Sequence, residues 1–421
     1  MNFPKNRAAA LQQLADFIPI APRYGWQRNA VVSGHPGVSR LSPAIRHRLI
    51  SEDETAAAIL AIHPLSKVEK FVQEIYWRRY WKAWLSLRPT VWAEYCESLK
   101  RLQEADASAI LDRAAAGKLG NSVIDHFARE LVETGYMHNH ARMWFAAWWI
   151  HEAHLPWELG AAFFFRHLLD GDPASNTLSW RWVAGLQTPG KTYLARRANL
   201  EKYLSRELVD SLQDGLAAFE NPVARLPTDA KYVAITQPKL PDFPIDPSLA
   251  TGLWIHEEDL TPETSPLGDM DFLATIIMGH AASWDEFEFP THKRKWFEAI
   301  LADAAARAKE TWPSEVTLEV TTNLAESLVA WAKSQGILQI VTLRPDVGPL
   351  DDLMGTLIPF LNDAGIQMAL VDRPRDLELR PLAGSGFFKF WETMGKRNLL
   401  PASQSRPLKD EEMLPRQLPL I

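Results

Sequence analysis

A chain of 421 residues exceeds the usual single-domain size, so two domains, each burying a core of its own, are expected. Hydrophobic residues at 47% and charged residues at 23% are ordinary for a globular protein and exclude a disordered or fibrous one. The net charge of -7 argues against general nucleic-acid binding, yet residues 1–230 carry 27 Lys+Arg against 24 Asp+Glu and the remainder 18 against 28, so a phosphate backbone would meet the first half.

Cys96, the single cysteine, excludes an internal disulfide, a thiolate zinc site and an iron–sulfur cluster, which suits a reducing cytoplasm and leaves no metal to expect. The opening MNFPKNRAAALQQLADF lacks the apolar core of a signal peptide, and no later run is long and charge-free enough for a membrane span. A cytoplasmic protein, monomeric and without a membrane partner, is the expectation.

Along the chain, apolar residues recur at helical spacing from about residue 45 to 220, which predicts a helical domain over 1–222. Ten of the 17 tryptophans fall between Trp77 and Trp182, many three or four residues apart, as an aromatic core requires. The six prolines of residues 221–248 predict an extended linker over 223–248. Beyond it, short apolar runs (Gly252 to His256, Phe272 to Met278, Val316 to Val320, Ile337 to Leu343, Ile366 to Val371) alternate with helical stretches such as Lys293 to Lys309 and Leu324 to Lys333. That alternation predicts a Rossmann-like parallel α/β domain over 249–398, followed by a tail over 399–421. No glycine-rich dinucleotide fingerprint follows the first strand.

The segment TGYMHNHARMWFAAWWIHEAHLPWELGAAFFFRHLLDGDPASNTLSWRW holds the densest chemistry. Asn139, Arg142 and Met143 stand at i, i+3 and i+4 and share a helical face, and Asp170 and Asp172 follow a later amphipathic helix. An amide, a guanidinium and carboxylates in a tryptophan-rich setting suit a polar heteroaromatic ligand; a structural ion pair is the plainer alternative. TGYMHNHARM followed by DGDPASNTLSWRW closely resembles the flavin-binding core of DNA photolyases and cryptochromes. SRLSP at Ser39 to Pro43 and EIYWRRYW at Glu74 to Trp81 match the same family in the same order.

The resemblance implies FAD as cofactor and assigns roles to residues. Tyr24, Ser39, Arg40, Leu41 and Ser42 match positions that grip the FAD phosphates and ribityl chain, with Val38 replacing a usual threonine. Arg142 and Asp170 match the pair beside the isoalloxazine ring, Asp172 the adenine and ribose end, Asn139 a nearby polar contact, and Asn176 the residue facing flavin N5. Glu74, Trp77, Arg78 and Trp81 lie on one helical face. By resemblance Glu74 hydrogen-bonds lesion bases, Trp77 stacks on them beside the cofactor, Arg78 contacts a phosphate, and Met143 and Trp182 are further walls. Photolyases for the (6-4) photoproduct have histidines where this chain has Asn139 and Met143, so the implied substrate is the cyclobutane pyrimidine dimer in UV-damaged DNA. Trp180 and Trp157 match the first two electron-transfer tryptophans, and the third position falls on Glu104. Lys191, Arg196 and Arg197 are candidates for tracking DNA phosphates; a solvated helix face accounts for them equally well.

LWIHEEDL at Leu253 to Leu260, and Ala364 to Asp372 followed by SGFFKFW, are similar to the start and end of the family's antenna domain, which normally comes first. Circular permutation would explain this order. Glu257 and Glu258 stand where the family has arginines, so the second antenna chromophore is left unassigned. The implied activity is light-driven dimer repair by a deoxyribodipyrimidine photolyase; the alternative is a cryptochrome-like blue-light receptor that binds FAD without repairing DNA, for which Val38, Glu104 and Tyr136 in place of a common tryptophan speak.

Overall fold

The computed structural model describes residues 2–105, 109–227, 230–236 and 243–401. Parts of the expected linker 223–248 and nearly all of the expected tail 399–421 lie outside the described residues.

Helices occupy the described residues from Arg7–Phe17 to Arg206–Ser211 and beyond, several with ends that the sequence explains. Ser51 and Glu54 form a reciprocal capping box at the start of Glu52–Ile62. Asn121 caps Ser122–Thr134, which Gly135 ends with φ 70°. The longest of this first set, Leu65–Ser86, starts after Pro64 and buries Val68, Phe71, Val72, Ile75, Tyr76, Tyr80, Ala83 and Trp84, a stripe at spacings of three and four. Trp144, Trp149 and Trp180 are fully buried, so much of the tryptophan enrichment is core.

Five parallel strands follow: β1 Thr251–His256, β2 Ala274–His280, β3 Glu315–Thr321, β4 Gln339–Leu343 and β5 Gln367–Val371. Their order is β3-β2-β1-β4-β5, with helices such as Thr291–Thr311 and Leu324–Ser334 between them. β2 and β4 are buried almost throughout, as strands covered on both faces must be, whereas the edge strand β3 is half exposed. The five apolar runs read from sequence each overlap one strand to within three residues at either end.

The two halves share a core. One cluster joins Phe3, Leu49 and Phe165 to Ile255, Ile277, Phe289 and Phe297, while a second, around Trp254, Ile276, Leu328 and Met354, is confined to the sheet part. Charges bind the halves as well. Arg46 holds Glu258 through two bonds of 2.6 and 2.7 Å; Arg48 reaches Asp259 at 2.9 Å and Asp376 at 2.8 Å; Arg79 reaches Asp376 at 2.7 Å. Lys82 donates to Asp346 at 2.9 Å, and the buried Lys293 donates to the Phe165 carbonyl at 2.6 Å. Glu257 and Glu258 thus have structural work. Glu258 is the partner of Arg46, and Glu257 accepts from Trp284 Nε1 at 3.0 Å.

Candidate functional site

A cavity of about 1080 Å³ opens among the helices. It is just above the range for small-molecule pockets, about 300–1,000 Å³, and so suits a dinucleotide-sized ligand. Three helices each supply several residues of its wall: Leu65–Ser86, Asn139–Ala147 and Pro173–Val183.

The first of these presents Glu74, Trp77, Arg78 and Trp81 to the cavity, the face that their spacing predicts. Asn139, Arg142 and Met143 line it from the second, and Asn176, Trp180 and Trp182 from the third. Arg142 donates to both oxygens of Asp170, at 2.9 and 3.0 Å, and its Nε holds the Met137 carbonyl at 2.8 Å. Burial alone would raise the Asp170 carboxyl, but Arg142 and Arg78 outweigh it and hold the group below its ordinary range. Tyr136 lies under the Arg142 guanidinium, 5.8 Å from ring centroid to cation.

Asp172 divides its oxygens between two tasks. Oδ1 caps the helix Pro173–Val183 by accepting from Ser175 N at 2.8 Å. Oδ2 is surrounded by Arg46 and Arg78 at 3.4 Å and Lys82 at 3.7 Å, none in hydrogen-bonding geometry, and it is left without a hydrogen-bond partner. Burial works against its charge, and these three cations overcome it, keeping the carboxyl far below its usual value. Arg78 Nη1, Ser175 Oγ and Trp180 Nε1 are also buried without partners. A wall of lining residues with unpaired donors and an unpaired acceptor fits a cofactor that carries hydroxyls and a heteroaromatic ring.

Tyr24, Ser39, Arg40 and Ser42 line the same cavity with Val38, and the Ser42 side chain is hydrogen-bonded to the Asp170 carboxylate. Arg40 sits at φ 54°, a left-handed conformation that a non-glycine residue adopts only where its surroundings impose it, and the chain then enters the short helix Ser42–Arg46. Leu41 departs from its expected place: its side chain is 0% exposed in the core and outside the cavity wall, so only its backbone is near the site.

Four other residues stand differently from the roles the resemblance implies. Glu74 is bound to Arg28 at 2.6 Å, so its carboxylate is already partnered. Trp77 is covered on one face by Phe387, the ring centroids 3.8 Å apart and the planes at 13°. Arg78 turns inward to Asp172 rather than outward to solvent, because the buried carboxylate is its nearest counter-charge. Arg197 is spent on Glu201, Glu220 and Gln213, at 2.8, 2.6 and 3.0 Å; Lys191 and Arg196 are exposed. Trp182 lies against Tyr193 at 5.7 Å, and Trp157 lies away from the cavity against Tyr95 at 5.5 Å.

Sequence reasoning missed Arg28, Tyr80, Trp84, Arg88, Tyr203, Tyr232, Val233 and Gly384 to Phe387, all of which line the cavity. Arg28 was within reach of a pattern argument, standing four residues after Tyr24. Phe387 was not, since 310 residues separate it from Trp77.

Residues 71–208 match the FAD-binding domain of DNA photolyase. Proteins named deoxyribodipyrimidine photo-lyase are similar over less than half of the chain. The Escherichia coli protein is 28% identical over 199 residues, 46% of this chain and 42% of that protein. The Synechococcus protein is 30% identical over 185 residues, 42% of this chain and 38% of its own length. That of Streptomyces griseus is 34% identical over 151 residues, 36% of this chain and 32% of its own. The match therefore spans less than half the length of these curated relatives. Among solved structures, a bacterial class III photolyase from Agrobacterium tumefaciens aligns with 51% of this chain and 44% of its own, at 26% identity and a TM-score of 0.39. Residues 71–208, within the helical half of this chain, are thus similar to the FAD-binding domain of DNA photolyase.

Proposed function

We propose that the protein is a deoxyribodipyrimidine photolyase, which repairs cyclobutane pyrimidine dimers in UV-damaged DNA using light and reduced FAD. The observation that supports this most is the convergence of Arg142, Asp170, Asp172 and Asn176 with Glu74, Trp77, Met143 and Trp182 on one cavity. Reduced FAD, when bound, supplies on illumination the electron that opens the cyclobutane ring and receives it back afterwards.

The chain's own part is position and charge. Arg142, fixed by Asp170 and the Met137 carbonyl, places a cation where a negatively charged ring would lie. Tyr24, Ser39, Arg40 and Ser42 would hold the phosphates and ribityl chain, and Asp172 and Asn139 the remaining polar edges. Asn176 keeps its amide oriented by donating to the Ala161 carbonyl at 2.8 Å. The walls of Glu74, Met143, Trp77 and Trp182 would receive a dimer flipped out of the duplex, which is cheaper to unstack than an intact pair. Arg78, Lys191, Arg196 and Arg197 were the sequence candidates for phosphate contact; the two that remain exposed, Lys191 and Arg196, are retained. Trp180, packed against Gly160 of Trp157–His167, and Trp157 are retained as electron-transfer residues.

The domain limits 1–222, 223–248 and 249–398, with the antenna-like α/β part placed after the FAD-binding part by permutation, belong to the same proposal, as does a cytoplasmic monomer. Illuminating the reduced protein with an oligonucleotide that carries one defined thymine dimer tests it, and restored thymines are the expected product. The second reading is a blue-light receptor that binds FAD without repairing DNA. Phe387 lying on Trp77 favours it, and a flavin-loaded protein that restores no thymines would establish it over repair.

A further inference from the structure

The segment Gly384 to Phe387 is built into the cavity wall by several independent contacts. Phe387 is 2% exposed and lies flat on Trp77. Tyr80 Oη donates to the Ser385 carbonyl at 2.7 Å, and Arg88 Nη2 to the Gly384 carbonyl at 3.0 Å. The Arg88 guanidinium lies 4.2 Å over the Trp84 ring, and its Nε reaches the Val233 carbonyl at 3.0 Å, so the irregular segment around Val233 is tied into the same cap. Trp77 is tilted against Trp81 at 5.2 Å and meets Tyr80 edge-on at 5.5 Å. The face that Phe387 covers is the one where a planar ring lies parallel to the indole.

We propose that Phe387 is a specificity-determining residue: it occupies the stacking position on Trp77 and gives it up only to a base already free of its own stack. This rests on the photolyase reading. An aromatic pair and a base stacked on an aromatic ring are contacts of similar strength, so exchanging one for the other is nearly balanced. The balance is then decided by what the base loses on leaving the duplex. A dimer loses little and wins the position; an intact base loses a full stack and does not.

Local construction suits such an exchange. Ser385 is flanked by Gly384 and Gly386, and a Cβ on Gly386 would meet nothing within 4 Å, so the backbone has room to turn there. The rest of the helix Phe387–Lys396 is anchored separately, by Phe390 at 0% exposure and by Trp391 Nε1 donating to Glu69 at 3.2 Å. Movement is thereby limited to the first turn, where Phe388 is 70% exposed.

The test uses the full chain loaded with FAD. Equilibrium binding to an oligonucleotide with one thymine dimer, and to its undamaged counterpart, is measured for wild type, F387A, F387W and F387L. Thermal melting confirms folding, and F387L, which retains bulk but no ring, stands in if F387A does not fold. Hydrogen exchange at residues 385–391 is followed with and without dimer DNA. Removing the ring should tighten dimer binding by about 3- to 10-fold, the worth of an aromatic pair. It should also narrow discrimination against undamaged DNA, F387W should weaken dimer binding, and exchange at Phe387 and Phe388 should quicken when dimer DNA is bound. A wild type that prefers the dimer, with a preference identical in all three variants and unchanged exchange, would make Phe387 a fixed wall and overturn the inference alone. A wild type that binds both strands alike overturns the photolyase reading, and this inference falls with it.

Discussion

Arg142 is the residue on which the electronic part of the site depends. Two bonds to Asp170 and one to a carbonyl fix its plane, so its charge is preorganised rather than gathered when the ligand arrives. Arg142→Ala should therefore lower the midpoint potential of bound flavin, since it removes a stabiliser of negative charge. A hydrogen bond to a charged group is worth about 1.5–3 kcal/mol, equivalent to a shift of about 30–60 mV for a two-electron couple. Spectroelectrochemistry checks this, and an unchanged potential in a variant that still binds FAD would reduce Arg142 to a structural partner of Asp170. Glu257 gives a second test at this scale. Burial, then the neighbouring Glu258, push its carboxyl up to about 8 from an ordinary 4.5. Between those values the folded state keeps a proton that the unfolded state has lost, so stability falls as pH rises, with a limiting slope of about 1.4 kcal/mol per pH unit. Denaturant melts from pH 5 to 8 should show this loss in wild type and a flatter profile in Glu257→Gln. The cation and carboxylate of the site were legible because Arg142 and Asp170 each sit in a short motif of one continuous segment, 28 residues apart. The pairing of Glu74 with Arg28 was not, because both partners also fit roles toward a ligand.

At the level of elements, the packing of the helix Trp157–His167 on Pro173–Val183 depends on a missing side chain. A Cβ at Gly160 would stand 2.2 Å from the six-membered ring of Trp180. Gly160→Ala should thus push apart the two helices that bring Trp180 and Asn176 to the cavity. A destabilisation of about 1–3 kcal/mol is expected from overpacking of this kind, read as a lower denaturant midpoint, with weakened flavin retention beside it. The glycine stood in plain view in the sequence, but only the crossing of the helices shows what it must admit. Strands and long helices, by contrast, were legible to within a few residues, because an apolar run or a stripe at spacings of three and four is a property of the segment alone. The stretch from Lys191 reads as a basic helix face, yet it forms only the short helices Arg197–Tyr203 and Arg206–Ser211, and Arg197 is paired with acids of its surroundings.

On the scale of the whole molecule, the halves are fastened by acids of the α/β part, Glu258, Asp259 and Asp376, and arginines of the helical part, Arg46, Arg48 and Arg79. Asp376 serves both Arg48 and Arg79, which are buried, so Asp376→Ala should cost about 1.5–3 kcal/mol by removing one charged partner of each, while Arg48 keeps Asp259 and Arg79 keeps Asp53. Differential scanning calorimetry should show a single transition at reduced temperature, and a split into two transitions would mean that the halves unfold independently. A chain ending at Pro222 would deprive Arg46, Arg48 and Arg79 of Glu258, Asp259 and Asp376, and should be far less stable than the full chain even if it retains FAD.

The sequence by itself determined the helical segments, the five parallel strands and the motifs that resemble a flavin site, because each rests on periodicity or on residues close together in one segment. Only the tertiary structure decided that the halves share a core, that Glu258 answers Arg46, and that Phe387 lies on Trp77. Those outcomes depend on which surfaces meet when two separately patterned halves bury their apolar faces against each other, and residues hundreds of positions apart carry no spacing signal for that.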